Sequence, residues 1–272
     1  METLGKEQSS EVYWHDVTEK YVQALEGDYH KHRLEVAFSL IPKELYHKSA
    51  NIIDFGCGDA VMFPPFLEKG VNITGIDIIE EMIVLAKERL RQKGYDQSIV
   101  KLGDVKLLRE YKDQSIDAVL CFNVLAYLTD DEEKIFYEQV KRILKPNGYF
   151  AVSHSNELFD LFSLNRYTLN FFNTNFMEGI ANESVDALLT NADKPEAFTA
   201  YNVRENPLTY KFKLLKHGLV EIRQEFSNLH IAPPAVLKDK YYPNTIGWEE
   251  SERWKLMFMC STYMSLSRMN NT

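Results

Sequence analysis

The 272-residue sequence has no apolar run long enough to cross a bilayer, and Met1–Ser10 is polar, with no apolar signal core. Cysteine is scarce. Cys57, Cys121 and Cys260 each sit in or beside apolar, strand-like segments. That setting excludes a disulfide or metal framework and reads as reduced core thiols of a cytoplasmic protein. Basic charge is in deficit: 31 Lys and Arg stand against 40 Asp and Glu, a net charge of −9. This balance argues against a nucleic-acid or anionic-membrane partner. Internal repeats and low-complexity tracts are also missing. What is present is 45% hydrophobic residues, over a length that suits one large α/β domain or two small ones.

The apolar pattern alternates between two periods. Helical spacing is expected over Glu11–Leu25, and again from Tyr29 to Leu40, ending before Pro42. From there the chain reads as helix Val61–Lys69, strand Asn72–Asp77, helix Glu80–Lys93, strand Ser98–Leu102, strand Ile116–Phe122, helix Asp131–Leu144 and strand Gly148–His154. Strands alternating with helices predict parallel βαβ units and a doubly wound α/β sheet. Residues 156–204 differ: they are long, irregular and aromatic, with Phe159, Phe162, Tyr167 and Phe171, too apolar for a disordered linker. A helical lid over a site is the expectation there. After Asn206-Pro207 a helix to His217, a strand Leu219–Leu229 and a last strand Trp254–Arg268 are expected.

The chain is organised around Asn51-Ile52-Ile53-Asp54-Phe55-Gly56-Cys57-Gly58-Asp59-Ala60. Ile52 and Ile53 end a buried strand. Gly56 and Gly58 then open a tight turn in which the missing Cβ lets a ligand approach the backbone. Strand, Gly-x-Gly, helix is the generic nucleotide-binding turn. A dinucleotide fingerprint would carry a third Gly at position 61, where Val61 stands. Asp77 ends the next strand about 20 residues on, where an acid accepts from two ribose hydroxyls.

Taken together these segments resemble the class I S-adenosylmethionine (SAM)-dependent methyltransferases. Asp54-Phe55-Gly56-Cys57-Gly58 matches their first motif, Gly75-Ile76-Asp77 the ribose-binding acid and Gly103-Asp104-Val105 the adenine motif. Ile116–Leu120 matches their fourth strand and Leu144–Phe150 the turn into the fifth. The five motifs stand in order over roughly residues 50 to 155. The resemblance implies a seven-stranded, mostly parallel Rossmann-like methyltransferase sheet, closed by an antiparallel hairpin. It implies one domain: an N-terminal helical cap (1–46), a SAM-binding core (47–155), a helical lid insertion (156–204) and the C-terminal part of the sheet (205–272).

SAM presents a carboxylate, an amine, two ribose hydroxyls, an adenine and a sulfonium. The expected binding residues are Asp54, Gly56 and Gly58 at the turn, Asp77 on the ribose, Ile78 and Met82 on the adenine face, and Asp104 and Val105 at its edge. The resemblance adds Asn123 beside the methionine portion and Arg33 on the SAM carboxylate, where a guanidinium binds through two parallel hydrogen bonds. His30 and His32, two residues apart, do not favour a shared helical metal site. Many small-molecule members carry a His at the position of Tyr127, so the base candidates here are His154, His230 and Tyr127. The expectation is methyl transfer to a small-molecule acceptor, foremost a hydroxyl oxygen, leaving S-adenosylhomocysteine (SAH). A nitrogen or carbon acceptor, or a non-catalytic SAM-binding regulator, remain the alternatives. Oligomeric state is not legible.

Overall fold

The computed structural model describes residues 27–160, 204–230 and 245–270. The expected helix Glu11–Leu25, most of the 156–204 insertion and the loop after His230 lie outside the described residues. Helix α1 (Asp28–Leu40) stops because Pro42 forces Ile41 into extended backbone. There follow β1 (Asn51–Phe55), α2 (Phe63–Leu67), β2 (Asn72–Asp77), α3 (Glu80–Gln92), β3 (Val100–Leu102), β4 (Ile116–Phe122), α4 (Asp130–Ile143) and β5 (Leu144–Ser155). The remainder forms α5 (Glu157–Asp160), α6 (Tyr210–Lys216), β6 (Leu219–Leu229), α7 (Leu256–Met259) and β7 (Cys260–Met269).

These strands make one seven-stranded sheet of order β3-β2-β1-β4-β5-β7-β6, in which β7 runs antiparallel to both neighbours and the first five strands are parallel. Parallel strands covered on both faces must be apolar on both, and β1 is buried at every residue but its first. Successive residues divide between two cores. Ile53, Phe55 and Val119 pack with Phe136, Tyr137 and Val140 of α4. Ile52 and Ala118 pack on the other side with Leu40 of α1 and Ile83 and Leu90 of α3. Helix α4 starts at a capping box: the Glu132 N–H donates to the Thr129 hydroxyl, and the Glu132 carboxylate accepts from the Thr129 N–H. Sheet order reverses between β1 and β4, so the ligand crevice of such a sheet opens at their carboxyl ends.

Several boundaries differ from the periodicity. Helix α2 covers Phe63–Leu67 and is about one turn shorter than Val61–Lys69, because the turn runs on through Ala60 at φ +57° and Pro64 and Pro65 occupy the helix start. Strand β3 begins at Val100, since Asp96 accepts from the Ser98 amide and starts a 3₁₀ turn over Gln97–Ile99. Strand β5 begins at Leu144, pairing with Ile116 before the register breaks around Asn147 at φ +64°. The stretch expected as the start of the last strand is helical instead: Arg253–Lys255 is 3₁₀ and Leu256–Met259 is α7. A short apolar run does not reveal its own period.

Candidate cofactor and active site

The turn after β1 is shaped by Gly56 at φ +77° and Gly58 at φ +52°. A Cβ on Gly56 would lie 2.1 Å from Val124 Cγ2, so only glycine fits between this turn and the loop after β4. The Gly56 and Cys57 amides donate to the Ile76 carbonyl, at 2.7 and 3.1 Å, tying the turn to β2. Asp77 then fixes the turn's far side. Its Oδ2 accepts from the Gly58 amide (2.8 Å) and its Oδ1 from the Ile79 amide (3.0 Å). Burial raises the Asp77 pKa against the downward pull of these amides. Each carboxylate oxygen retains a second lone pair.

Around this turn opens a concave cleft walled by the carboxyl ends of the parallel strands. Asp77, Ile78, Met82, Asp104 and Val105 line one end, and Asn123, Val124, Tyr127 and Leu128 the other. Asp104 Oδ1 accepts from the Lys106 amide (2.8 Å), turning the carboxylate into the cleft wall. Asn123 sits at φ +62°, and its amide donates to the buried Ser153 hydroxyl (2.8 Å). A second compartment adjoins the first and shares Gly56, Gly58 and Phe122 with it. Its walls include His30 and Arg33 of α1, together with Asp54, Asp59 and Met264. An Arg33 Nη donates to His30 Nδ1 (2.9 Å). Burial, then the Arg33 charge, lowers the His30 pKa to about 4, so this imidazole is neutral. Asp54 is fully enclosed. Burial and the neighbouring Asp77 charge raise its pKa to about 7.

All the expected cofactor residues therefore border these two compartments, including Arg33, which the chain places 21 residues ahead of Asp54 and the fold brings to the same compartment. The base candidates separate. Tyr127 lines the main cleft. His154 does not: strand alternation turns it away from its neighbour Ser153 into an aromatic cluster, 4.5 Å from the Tyr210 ring and 6.0 Å from Tyr263. Its Nε2 has no hydrogen-bond partner among the described residues, and burial with Lys213 nearby lowers its pKa to about 3. This is a core histidine, so the expectation that it faces the ligand is corrected. His230 is also buried but lies at the carboxyl end of β6, on the ligand side. Its Nε2 is 3.2 Å from Ser261 Oγ, which is 3.3 Å from the Tyr29 hydroxyl of α1. Periodicity and motif spacing missed one further pair at the turn, Asp59 with Arg89. Arg89 Nε donates to the Asp59 carbonyl (2.9 Å) and its Nη2 pairs with the Asp59 carboxylate. No sequence signal links residues on separate elements.

A sheet of this order, with a Gly-x-Gly turn at the switch point and an acid ending the second strand, defines a class I methyltransferase fold. The chain belongs to the methyltransferase-domain family, whose profile matches residues 46–202. Among curated proteins it is 28% identical over 131 residues to a ubiquinone biosynthesis O-methyltransferase of Rickettsia conorii, covering 47% of this chain and 42% of that one. It is 30% identical over 105 residues to the protein of the same name from Dechloromonas aromatica, covering 39% and 44%. The match thus spans less than half the length of these relatives. Among solved structures, magnesium protoporphyrin IX methyltransferase from Synechocystis with bound SAH superposes with a TM-score of 0.59 at 13% identity, covering 96% and 98% of the chains. A SAM-dependent methyltransferase from Archaeoglobus fulgidus gives 0.55 at 19%, covering 92% and 99%. At these identities the likeness is one of fold.

Proposed function

We propose that this chain binds SAM across the two compartments and transfers its methyl group to a small-molecule acceptor, foremost a hydroxyl oxygen, in the cytoplasm. The observation that carries the reading is Asp77, buried at the end of β2, whose Oδ2 holds the Gly58 amide of the turn and whose Oδ1 holds the Ile79 amide just after β2, with lone-pair capacity on each oxygen to spare. Two spare acceptors side by side suit two vicinal ribose hydroxyls. The other residues fit the rest of the cofactor. Ile78, Met82 and Val105 offer an apolar slot for adenine, with the Asp104 carboxylate at its edge for the exocyclic amine. Arg33 supplies a cation for the SAM carboxylate, and Asp54 an enclosed acid for the amine side. Asn123 and Tyr127 border the methionine end.

SAM, when bound, supplies an already activated methyl group, so the protein's contribution is to hold, orient and exclude water. Helix α1 serves as a cap, with Arg33 and His30 in the compartment wall. The names of the curated relatives favour oxygen as the acceptor atom. A hydroxyl acceptor needs a base. His230 is the candidate on the ligand side, linked through Ser261 to the cap helix at Tyr29. The acidic net charge favours a small acceptor over a polyanionic polymer.

Titration calorimetry with SAM, SAH and NADH tests this. SAM and SAH are expected to bind and NADH not; NADH binding without SAM binding overturns it. An acceptor screen read by SAH release then separates turnover from SAM binding alone. Release with amine or carbon acceptors only would move the reading to N- or C-methylation.

A further inference from the structure

Three acids surround the Gly56–Gly58 turn, and they are treated differently. Asp77 is held by backbone amides. Asp54 makes no hydrogen bond or ion pair among the described residues. Asp59 is the acid of the three with a cationic partner. It is buried in the wall of the second compartment. Its Oδ1 accepts from the Val61 amide (3.3 Å). Arg89, reaching from α3, holds both its carbonyl and its carboxylate. The clamp grips the residue immediately before Ala60, which sits in the left-handed region at φ +57°. Among the described residues, the cation on the cap side of the same compartment is Arg33, since His30 is neutral.

This arrangement bears on a difference between donor and product. SAM carries a carboxylate, an ammonium and a sulfonium, a net charge of about +1. SAH lacks the sulfonium and is net neutral. Any fixed charge in this wall therefore acts unequally on the two. We propose that the Arg89–Asp59 pair sets the ratio of donor to product affinity: Arg89 cancels the Asp59 charge beside the amino-acid end of the site and so limits how strongly the cationic donor is preferred over the neutral product. The inference rests on the SAM reading above. Arg89 acts through Asp59 and touches no ligand, so it is a positioning residue.

The test is calorimetric affinity for SAM and for SAH at pH 8, in the wild-type chain and in Arg89→Gln, Arg89→Lys and Arg89→Gln/Asp59→Asn. Freeing the Asp59 carboxylate in Arg89→Gln is expected to raise the SAH-to-SAM ratio of Kd by about fivefold to tenfold, as one added charge near a partly buried site implies. Arg89→Lys keeps the charge and is expected to leave the ratio within about twofold of wild type. The double substitution, neutral at both positions, is expected to return it there. A role limited to bracing the turn would weaken both ligands by the same factor, and that result overturns the proposal. If Arg89→Gln does not fold, Asp59→Asn carries the test: it leaves Arg89 cationic and unpaired, so the ratio falls below wild type, and an unchanged ratio overturns the proposal. A wild-type chain that binds neither SAM nor SAH refutes the donor reading itself, and this inference with it.

Discussion

Replacing Asp77 by Asn keeps the side-chain shape and removes half of its function. One carboxylate oxygen becomes an amide NH₂. The remaining oxygen can satisfy either the Gly58 or the Ile79 amide, and the NH₂ then faces the other N–H. On the cleft side, one of the two acceptors proposed for the ribose is lost. A hydrogen bond to a charged group contributes about 1.5–3 kcal/mol, and a buried donor left unsatisfied costs about 1–3 kcal/mol. The first term acts on binding alone. The second acts on the free protein as well, and only the part relieved or worsened by the ligand enters the affinity. SAM and SAH binding should therefore weaken by about 2–4 kcal/mol, roughly 30-fold to 1,000-fold. Stability should move little. Burial already raises the pKa of Asp77 in the folded chain, so the ionised carboxylate is not a source of folding energy, and a neutral amide removes that penalty while adding an N–H conflict. The assay is calorimetry on Asp77→Asn beside a thermal melt. A Kd within threefold of wild type would remove Asp77 from the cofactor site. A fall in melting temperature that accounts for the lost binding would make Asp77 a structural residue.

Asp54 gives a pH prediction. Its folded pKa, about 7, lies above the ordinary carboxylate value of 3.8, so between these pH values the folded chain holds a proton that the unfolded chain releases. This contribution to stability is complete below the unfolded value, declines as pH rises toward 7 and is gone above it. Asp54→Asn, neutral throughout, should be more stable than wild type in urea denaturation at pH 8, with the gap closing near pH 4; a gap independent of pH contradicts the assignment. His230→Ala should lower turnover by about 10² to 10⁴ while sparing SAM affinity. His154→Ala should instead lower the melting temperature, with activity following the folded fraction. If neither loses more than a few-fold in turnover, the base lies elsewhere and Tyr127→Phe is the next variant to assay. Hydrogen exchange should show Tyr29–Arg33 protected on SAH binding; protection confined to residues 50–130 would refute the cap.

Much of the lining of the candidate site was legible because its logic is local. A glycine turn, the acid ending the next strand and the Gly103-Asp104-Val105 step each lie within a few residues of chain, and the parallel βαβ order brings such steps to the same edge of the sheet. The two cores could be anticipated from alternation along β1, where Ile52 and Ile53 serve opposite faces. The same alternation separates Ser153, which holds the Asn123 loop, from His154, which faces Tyr210. Which of the two points to the ligand depends on the register of β5, and that is set by pairing with β4 and β7.

The sequence by itself determined the fold class and the residues at the Gly56–Gly58 turn, since backbone freedom and strand-end position are properties of neighbouring residues. Only the tertiary structure decided which charges meet. Arg89 reaches Asp59 across 30 residues, Arg33 lines the same compartment as Asp54 from a helix outside the core motifs, and Tyr29 approaches His230 through Ser261. It also decided that Leu256–Met259 coils before β7 begins. In each case the partner comes from a distant part of the chain, and an electrostatic or packing interaction depends on separation in space.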